Sequence, residues 1–245
     1  MTAYKNNMRY IQQLDMIIPH MSEQGETGVL KDKGLYVITG GLGGIGLAIA
    51  MDIAKKVTAR IILTGRTSYG MAGIQKMELT EDVPWLTKEQ QIIISEIRQM
   101  GSYVEYRAGD ISDENRMKDM FQNITEYCGR IDGIIHAAGV PFGKLLKDMQ
   151  DMDWETVWKP KIHGTLVLDR VTDGMDLDFI LLFSSVAALT GGAGQSGYAY
   201  GNAIMDSLAG VMRRKRKNVR SIYWSTWEET GMAVYTETVT QNALF

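Results

Sequence analysis

From residue 34 onward, short β-branched apolar runs alternate with amphipathic stretches. The runs at 35–39, 60–64, 102–108, 131–137, 178–184 and 219–224 read as strands. Between them, residues near 44–56, 88–100, 112–127, 151–172 and 197–215 carry helical spacing, and each stretch is long enough to cross over a sheet. This rhythm predicts an α/β domain: a doubly wound, mostly parallel sheet with helices on both faces, the Rossmann arrangement. Residues 67–87 lengthen the second crossover with no clear period and read as an insertion. Residues 1–30 are broken by polar and glycine-containing segments and read as an arm or linker before a domain spanning 31–245.

Composition narrows the function classes. The 245 residues hold 26 Lys+Arg against 29 Asp+Glu, a formal charge of −3, which speaks against general nucleic-acid binding. At 45% hydrophobic, the chain can bury a full core. The first thirty residues lack the apolar core of a signal peptide, and no run reaches membrane-spanning length. The single cysteine, Cys128, permits no internal disulfide and forms no zinc site by itself, so a cytoplasmic location is expected and no metal site is. The basic run Arg213–Lys217 closes the last long helix and reads as a solvated helix end, with docking of an acidic partner as the alternative. The 26 glycines are about one and a half times average usage, and their positions carry the chemistry.

Thr39, Gly40, Gly41, Leu42, Gly43, Gly44, Ile45 and Gly46 follow the first predicted strand directly and open a helix. Gly41, Gly43 and Gly46 fit G-x-G-x-x-G, and the same stretch also fits T-G-x-x-x-G-x-G. A pyrophosphate site needs such a tight turn, close backbone approach and helix N-terminal amides. The second strand ends Leu63-Thr-Gly-Arg66, where an acidic residue would accept a ribose hydroxyl. Arg66 instead offers a cationic fork for a 2′-phosphate, which favours NADP over NAD. Asp110 and Ile111 follow the third strand, where an adenine edge would lie. Ala137, Ala138 and Gly139 close the fourth strand and leave room for a cofactor ribose, while His136 reads as packed or hydrogen-bonded rather than catalytic.

A second set of residues is polar. Ser185 ends the fifth strand, on the sheet edge where open α/β folds bind ligands, and Tyr198 follows thirteen residues later. Asn202 lies four beyond Tyr198 on one helical face, and Lys161 follows Pro160 on the preceding helix. A hydroxyl, a phenol, a cation and an amide beside a dinucleotide site suggest carbonyl reduction: an ammonium favours the phenolate, and a serine can hold a carbonyl oxygen. Tyr200 is a decoy two positions on.

With these motifs the chain resembles the short-chain dehydrogenase/reductases, and most closely the catalytic subdomain of ketoreductase domains from modular polyketide synthases. The resemblance covers about residues 30–232. It rests on Tyr-Val-Ile-Thr-Gly-Gly-Leu-Gly-Gly-Ile-Gly, Leu-Thr-Gly-Arg, His-Ala-Ala-Gly-Val, Lys-Pro-Lys-Ile-His-Gly-Thr, Leu-Phe-Ser-Ser and Tyr-Ala-Tyr-Gly-Asn-Ala. Asn202 stands where most free-standing members carry lysine, and the lysine appears instead at Lys161, an exchange typical of synthase ketoreductases. The resemblance implies a catalytic tetrad of Lys161, Ser185, Tyr198 and Asn202, with Tyr198 protonating a ketone oxygen that Ser185 holds. It implies that Lys161 lowers the phenol pKa and contacts the nicotinamide ribose, and that Asn202 helps hold the lysine and a water relay.

It further implies NADPH as cofactor and, as substrate, a β-ketoacyl chain on the phosphopantetheine arm of an acyl carrier protein. Neighbouring synthase domains would be further partners. Two alternatives stay open, a free-standing reductase of a small ketone or acyl thioester and a non-catalytic structural or docking domain. Pro141-Phe-Gly143 replaces the Leu-Asp-Asp of ketoreductases giving one hydroxyl configuration, and Thr190 stands where those giving the other carry Trp. The missing aspartates tilt towards the second type, and Gln195 is compatible with it. Related domains have a preceding structural half that thirty residues cannot supply, so an excised half is expected, with residues 225–245 contributing a lid.

Overall fold

The computed structural model describes residues 2–6, 8–11, 28–68, 76–80, 82–140, 143–216 and 218–227. Parts of the expected arm, insertion and lid therefore lie outside the described residues, as do Pro141 and Phe142. The chain begins with a small antiparallel pair, β1 (Thr2–Lys5) and β2 (Met8–Ile11), in which Lys5 registers with Met8. The domain proper runs β3 (Gly34–Thr39), α1 (Gly44–Lys56), β4 (Ala59–Gly65), β5 (Met77–Glu78), α2 (Lys88–Gln99), β6 (Tyr103–Ala108), α3 (Glu114–Cys128) and β7 (Gly133–His136). After β7 come α4 (Asp151–Trp158), a π-helical turn (Lys159–His163), α5 (Gly164–Val171), β8 (Phe179–Ser185), α6 (Ala187–Thr190), α7 (Ser196–Lys215) and β9 (Val219–Trp224).

Seven strands form one sheet in the order β5-β6-β4-β3-β7-β8-β9. All its pairings are parallel except that of β5 with β6. The chain winds outward from β3 to β4 and β6, then returns to lay β7 against the other side of β3. That reversal opens a crevice at the carboxyl ends of β3 and β7, where doubly wound folds bind ligands.

The two faces of the sheet explain why the strands are apolar throughout. In β3, Tyr36 and Ile38 join a core with Leu47, Ala50 and Ile53 of α1 and Ile94 and Ile97 of α2. Leu35 and Val37 point the other way, against Phe121 of α3, Leu168 of α5 and Met205 and Ala209 of α7. Strands buried on both faces read as continuous apolar runs, and the alternation of side chains then shares each strand between two cores.

Local signals fix the helix ends. Thr87 and Gln90 form a reciprocal capping box at α2, and the Asp113 carboxylate accepts the Arg116 amide at α3. The insertion is more ordered than its composition predicts. Met77–Glu78 adds an antiparallel edge strand, and Leu79, Val83 and Leu86 are buried against the first core. At the other end of the domain the basic run does structural work. The Arg216 guanidinium donates to the carbonyl and hydroxyl of Thr172, and Lys215 pairs with Asp169, so the end of α7 is moored to the end of α5.

Candidate active site

The glycine loop leaves β3 at Thr39 and enters α1 at Gly44, as the motif predicts. Gly40 has φ +69°, and a Cβ there would lie 2.8 Å from the Ala138 Cα, so the loop passes directly over the end of β7. A Cβ on Gly46 would come within 2.6 Å of the Gly40 carbonyl, which is how the first turn of α1 seats on the loop. Gly43 is the N-cap of a thirteen-residue helix, brings no side chain to its amides and is exposed. The result is a backbone cradle at a helix N-terminus with room for an anionic group. Leu42 is held from outside, its carbonyl accepting from the Gln90 side chain at 3.0 Å.

Arg66 is exposed just beyond β4. Its charge reaches Asp110, which lies two residues past the end of β6. Burial pushes the Asp110 carboxyl up, but hydrogen bonds from the Ser112 amide and hydroxyl and the charges of Arg66 and Lys159 outweigh it. The net shift is below the ordinary aspartate value. Ile111 is buried, and Ala137, Ala138 and Gly139 line the crevice half-buried after β7. These residues suit a dinucleotide: a phosphate cradle, a cation beyond the second strand and small side chains at the switch point.

A buried relay links the loop to the polar residues. His136 pairs in register with Thr39 and is fully buried. Its Nε2 lies 3.0 Å from the Pro160 carbonyl, which can only accept, so Nε2 carries the proton and Nδ1 accepts the Thr39 hydroxyl at 2.6 Å. Burial, with the nearby Lys161 charge, pulls the imidazole pKa down to about 3, and the ring is neutral. His136 is thus a packed, hydrogen-bonded residue, as its place in the sequence suggests.

Pro160 sits at the start of the π-helical turn, in which the Gly164 amide donates to the Lys159 carbonyl. Proline has no amide to give and the widened turn absorbs its ring, so the helix bends without stopping. The turn aims Lys161 inward. Its side chain is buried and its ammonium donates to the Phe183 carbonyl at 2.6 Å, while its own carbonyl accepts the Thr165 hydroxyl. Burial lowers the ammonium pKa to about 8, against a partial upward pull from Asp206.

Ser185 ends β8, and its hydroxyl accepts the Ala187 amide at 3.2 Å. Tyr198 lies in the first turn of α7, with Asn202 one turn on. Ser185 and Asn202 each pull the Tyr198 phenol pKa down, and the Asn202 amide nitrogen donates to the Tyr198 backbone carbonyl at 2.9 Å. Asn202 is fully buried, and among the described residues its Oδ1 has no hydrogen-bond partner. Tyr200, by contrast, is half-exposed and stacks near Trp158.

Burial pushes the Tyr198 phenol above its ordinary value, only partly opposed by Ser185 and Asn202. A residue not singled out in the sequence is Asp206, one further turn along α7. The 198, 202, 206 spacing was the available signal, but an aspartate near mid-helix reads by default as solvated.

A doubly wound sheet carrying this loop and this polar cluster at its switch point defines a dinucleotide-dependent reductase of the short-chain type. The KR domain family matches residues 34–229. The chain belongs to that family, the ketoreductase domains of polyketide synthases. It is similar to polyketide synthase PksN of Bacillus subtilis, 32% identical over 236 residues, which covers 94% of this chain and 4% of that protein. It is also similar to the phthioceranic/hydroxyphthioceranic acid synthase of Mycobacterium bovis, 34% identical over 203 residues, 83% of this chain and 9% of that one.

Among solved structures, a ketoreductase domain from the bacillaene assembly line is 28% identical with a TM-score of 0.75, covering 98% of this chain and 55% of that one. An N-terminal ketoreductase from the macrolactin assembly line is 29% identical with a TM-score of 0.72, covering 90% and 40%. The chain therefore spans a small part of its curated relatives and about half of these structures. Such domains are pyridine-nucleotide-dependent oxidoreductases of the short-chain type within multidomain synthases. Among the described residues no helix is long and apolar enough to cross a membrane, and no group of three His, Cys, Asp or Glu could hold a metal.

Proposed function

We propose that this chain reduces the β-keto group of an acyl thioester, presented on the phosphopantetheine arm of an acyl carrier protein, to a β-hydroxyacyl thioester at the expense of NADPH. The observation that carries the reading is the convergence of Ser185, at the end of β8, with Tyr198 and Asn202 of α7, near enough for Ser185 and Asn202 to act on the phenol. Lys161 is buried beside it and linked through Pro160 and His136 to the glycine loop. The loop from Thr39 to Gly46 would hold the pyrophosphate, Arg66 the 2′-phosphate, and Asp110 and Ile111 the adenine. Ala137, Ala138 and Gly139 would border the ribose. When bound, the nicotinamide supplies a hydride to the carbonyl carbon.

The chain's own residues manage the oxygen and its proton. The Ser185 hydroxyl donates a hydrogen bond to the carbonyl oxygen and stabilises the charge that develops there. Tyr198 delivers the proton. Its upward-shifted pKa suits reduction, because the phenol is fully protonated at neutral pH and donates only when a stronger base, the nascent alkoxide, forms next to it. Lys161, an ammonium below about pH 8, favours the transient phenolate, and Asn202 supports the phenol and offers a free acceptor to a proton-carrying water.

NADPH oxidation with a β-ketoacyl thioester is expected for the wild type. In Tyr198→Phe it is expected to fall by at least about a hundredfold, the scale of a lost general acid, with NADPH binding retained by fluorescence titration. Equal rates in the two proteins would overturn the assignment.

A further inference from the structure

Lys161 reaches the site only because the π-helical turn that carries it is held in place. A π turn is a rare geometry, and Pro160 contributes no amide to it, so the turn leans on bonds from outside the helix. Two consecutive carbonyls receive them. The Pro160 carbonyl accepts the Nε2 proton of His136 at 3.0 Å, and the Lys161 carbonyl accepts the Thr165 hydroxyl at 2.6 Å. The imidazole also lies against the turn, its Cε1 3.4 Å from where a Cβ on Gly164 would stand. On its other side the ring takes the Thr39 hydroxyl at 2.6 Å, and Thr39 is the last residue of β3 before the glycine loop. From the turn, the Lys161 ammonium reaches the Phe183 carbonyl at 2.6 Å, two residues before Ser185. Thr39, His136, Pro160, Lys161 and Thr165 are all buried, where a hydrogen bond is stronger than in water.

We propose that His136 is a positioning residue for Lys161: its Nε2–H anchors the π-helical turn through the Pro160 carbonyl and so fixes the lysine relative to Ser185. The proposal rests on the assignment of the tetrad to reduction. A neutral imidazole offers one donor and one acceptor, and the bond made by one nitrogen decides which of them carries the proton. By donating to Nδ1, the Thr39 hydroxyl leaves the proton on Nε2 and aims that donor at Pro160. The end of the strand that opens the cofactor loop thereby sets the anchor of the lysine turn. His136 acts on the reaction only through the lysine it places.

The test separates the two bonds of the ring. Glutamine carries an amide N–H to the Nε2 position and leaves the Nδ1 position empty, whereas asparagine reaches only the Nδ1 position. Each variant removes one buried bond, so a merely structural role makes the two lose activity alike. His136→Asn is expected to lower kcat about tenfold and His136→Gln to stay within about threefold of the wild type. In a Lys161→Met background, the same His136→Asn change is expected to cost less than about twofold, because the group it places is gone. Independently of activity, amide exchange followed by NMR is expected to rise about tenfold at Gly164, whose amide closes the turn onto the Lys159 carbonyl, in His136→Asn but not in His136→Gln. Equal losses in the two variants, additive losses in the Lys161→Met background, or an unmoved Gly164 amide in His136→Asn overturn the proposal. If that amide loosens in His136→Asn alone but the wild type reduces no β-ketoacyl thioester, the anchoring stands and the reductase reading falls. Should His136→Asn not fold, His136→Phe, which fills the space of the ring with neither bond, takes its place. If neither folds, the histidine serves the fold rather than the placing of Lys161, and the proposal is overturned.

Discussion

Single side chains carry the proposed cofactor preference and proton chemistry. Arg66 is exposed and makes no hydrogen bond or ion pair among the described residues, and its charge acts on Asp110. A charge-assisted hydrogen bond is worth about 1.5–3 kcal/mol. Arg66→Asp is therefore expected to lower kcat/KM for NADPH by roughly ten- to a hundredfold and to affect NADH much less, as initial rates with the two nucleotides will show. At this scale much was legible. Ser185, Tyr198 and Asn202 could be proposed from a strand end and a four-residue helical step, and Lys161 from its place after Pro160 and the family resemblance, without knowledge of the rest of the molecule. What could not be read was the state of each group, since the rise in the Tyr198 pKa and the fall in that of Lys161 come from burial by distant segments.

Secondary-structure elements show the same division more sharply. The six long strands and their crossover helices follow the apolar runs closely, because strands covered on both faces must be apolar along their whole length. Strand β6 departs from that rule. Glu105 and Arg107, two apart and so on one face, are both essentially inaccessible, with the guanidinium donating to the carboxylate at 2.7 Å and to Asn123 of α3 at 2.8 Å. Arg60 of β4 approaches the same carboxylate at 3.8 Å. Breaking a buried pair strands the remaining charge, which costs about 3–5 kcal/mol, whereas an apolar replacement of both is often neutral. Arg107→Met is thus expected to lower stability by about that amount in urea unfolding, and Glu105→Leu/Arg107→Met to recover most of it. The π-helical turn is a comparable case: proline in a long helical stretch signals a bend, but only packing determines that the bend widens into a π turn and directs Lys161 inward.

The whole molecule has two poles. The carboxyl ends of the strands hold the site. At the opposite end, Arg130 pairs with Asp132, Asp176 and Asp178, and Lys31 joins Asp132 and Asp178, so the start of β7, the approach to β8 and the segment before β3 are clamped together. At the site end lies His136, the last residue of β7, whose protonation couples to global stability. Its imidazole titrates near 3 in the folded chain against 6.5 when unfolded, so between these values the unfolded chain binds a proton that the folded chain refuses. Its contribution is complete above pH 6.5 and is lost as pH falls towards 3, by up to about 1.4 kcal/mol per pH unit. Urea midpoints are expected to decline from pH 7 to pH 5, and to decline less steeply in His136→Gln.

The sequence alone determined the layered α/β architecture, the cradle at the first helix and the identities of the polar residues, because each depends on local spacing: two residues for a strand, four for a helical face, and a glycine run at a turn. Tertiary structure decided everything that depends on segments meeting across the sheet. It brought Pro160 and Thr39 to opposite nitrogens of His136, left the Asn202 acceptor free, and drew Ser184 and Ser221 onto Asp206. Desolvation and charge depend on which atoms surround a group rather than on its neighbours along the chain. That is why candidate site residues could be named from the chain, while the burial and electrostatic surroundings of each group emerged only from the fold.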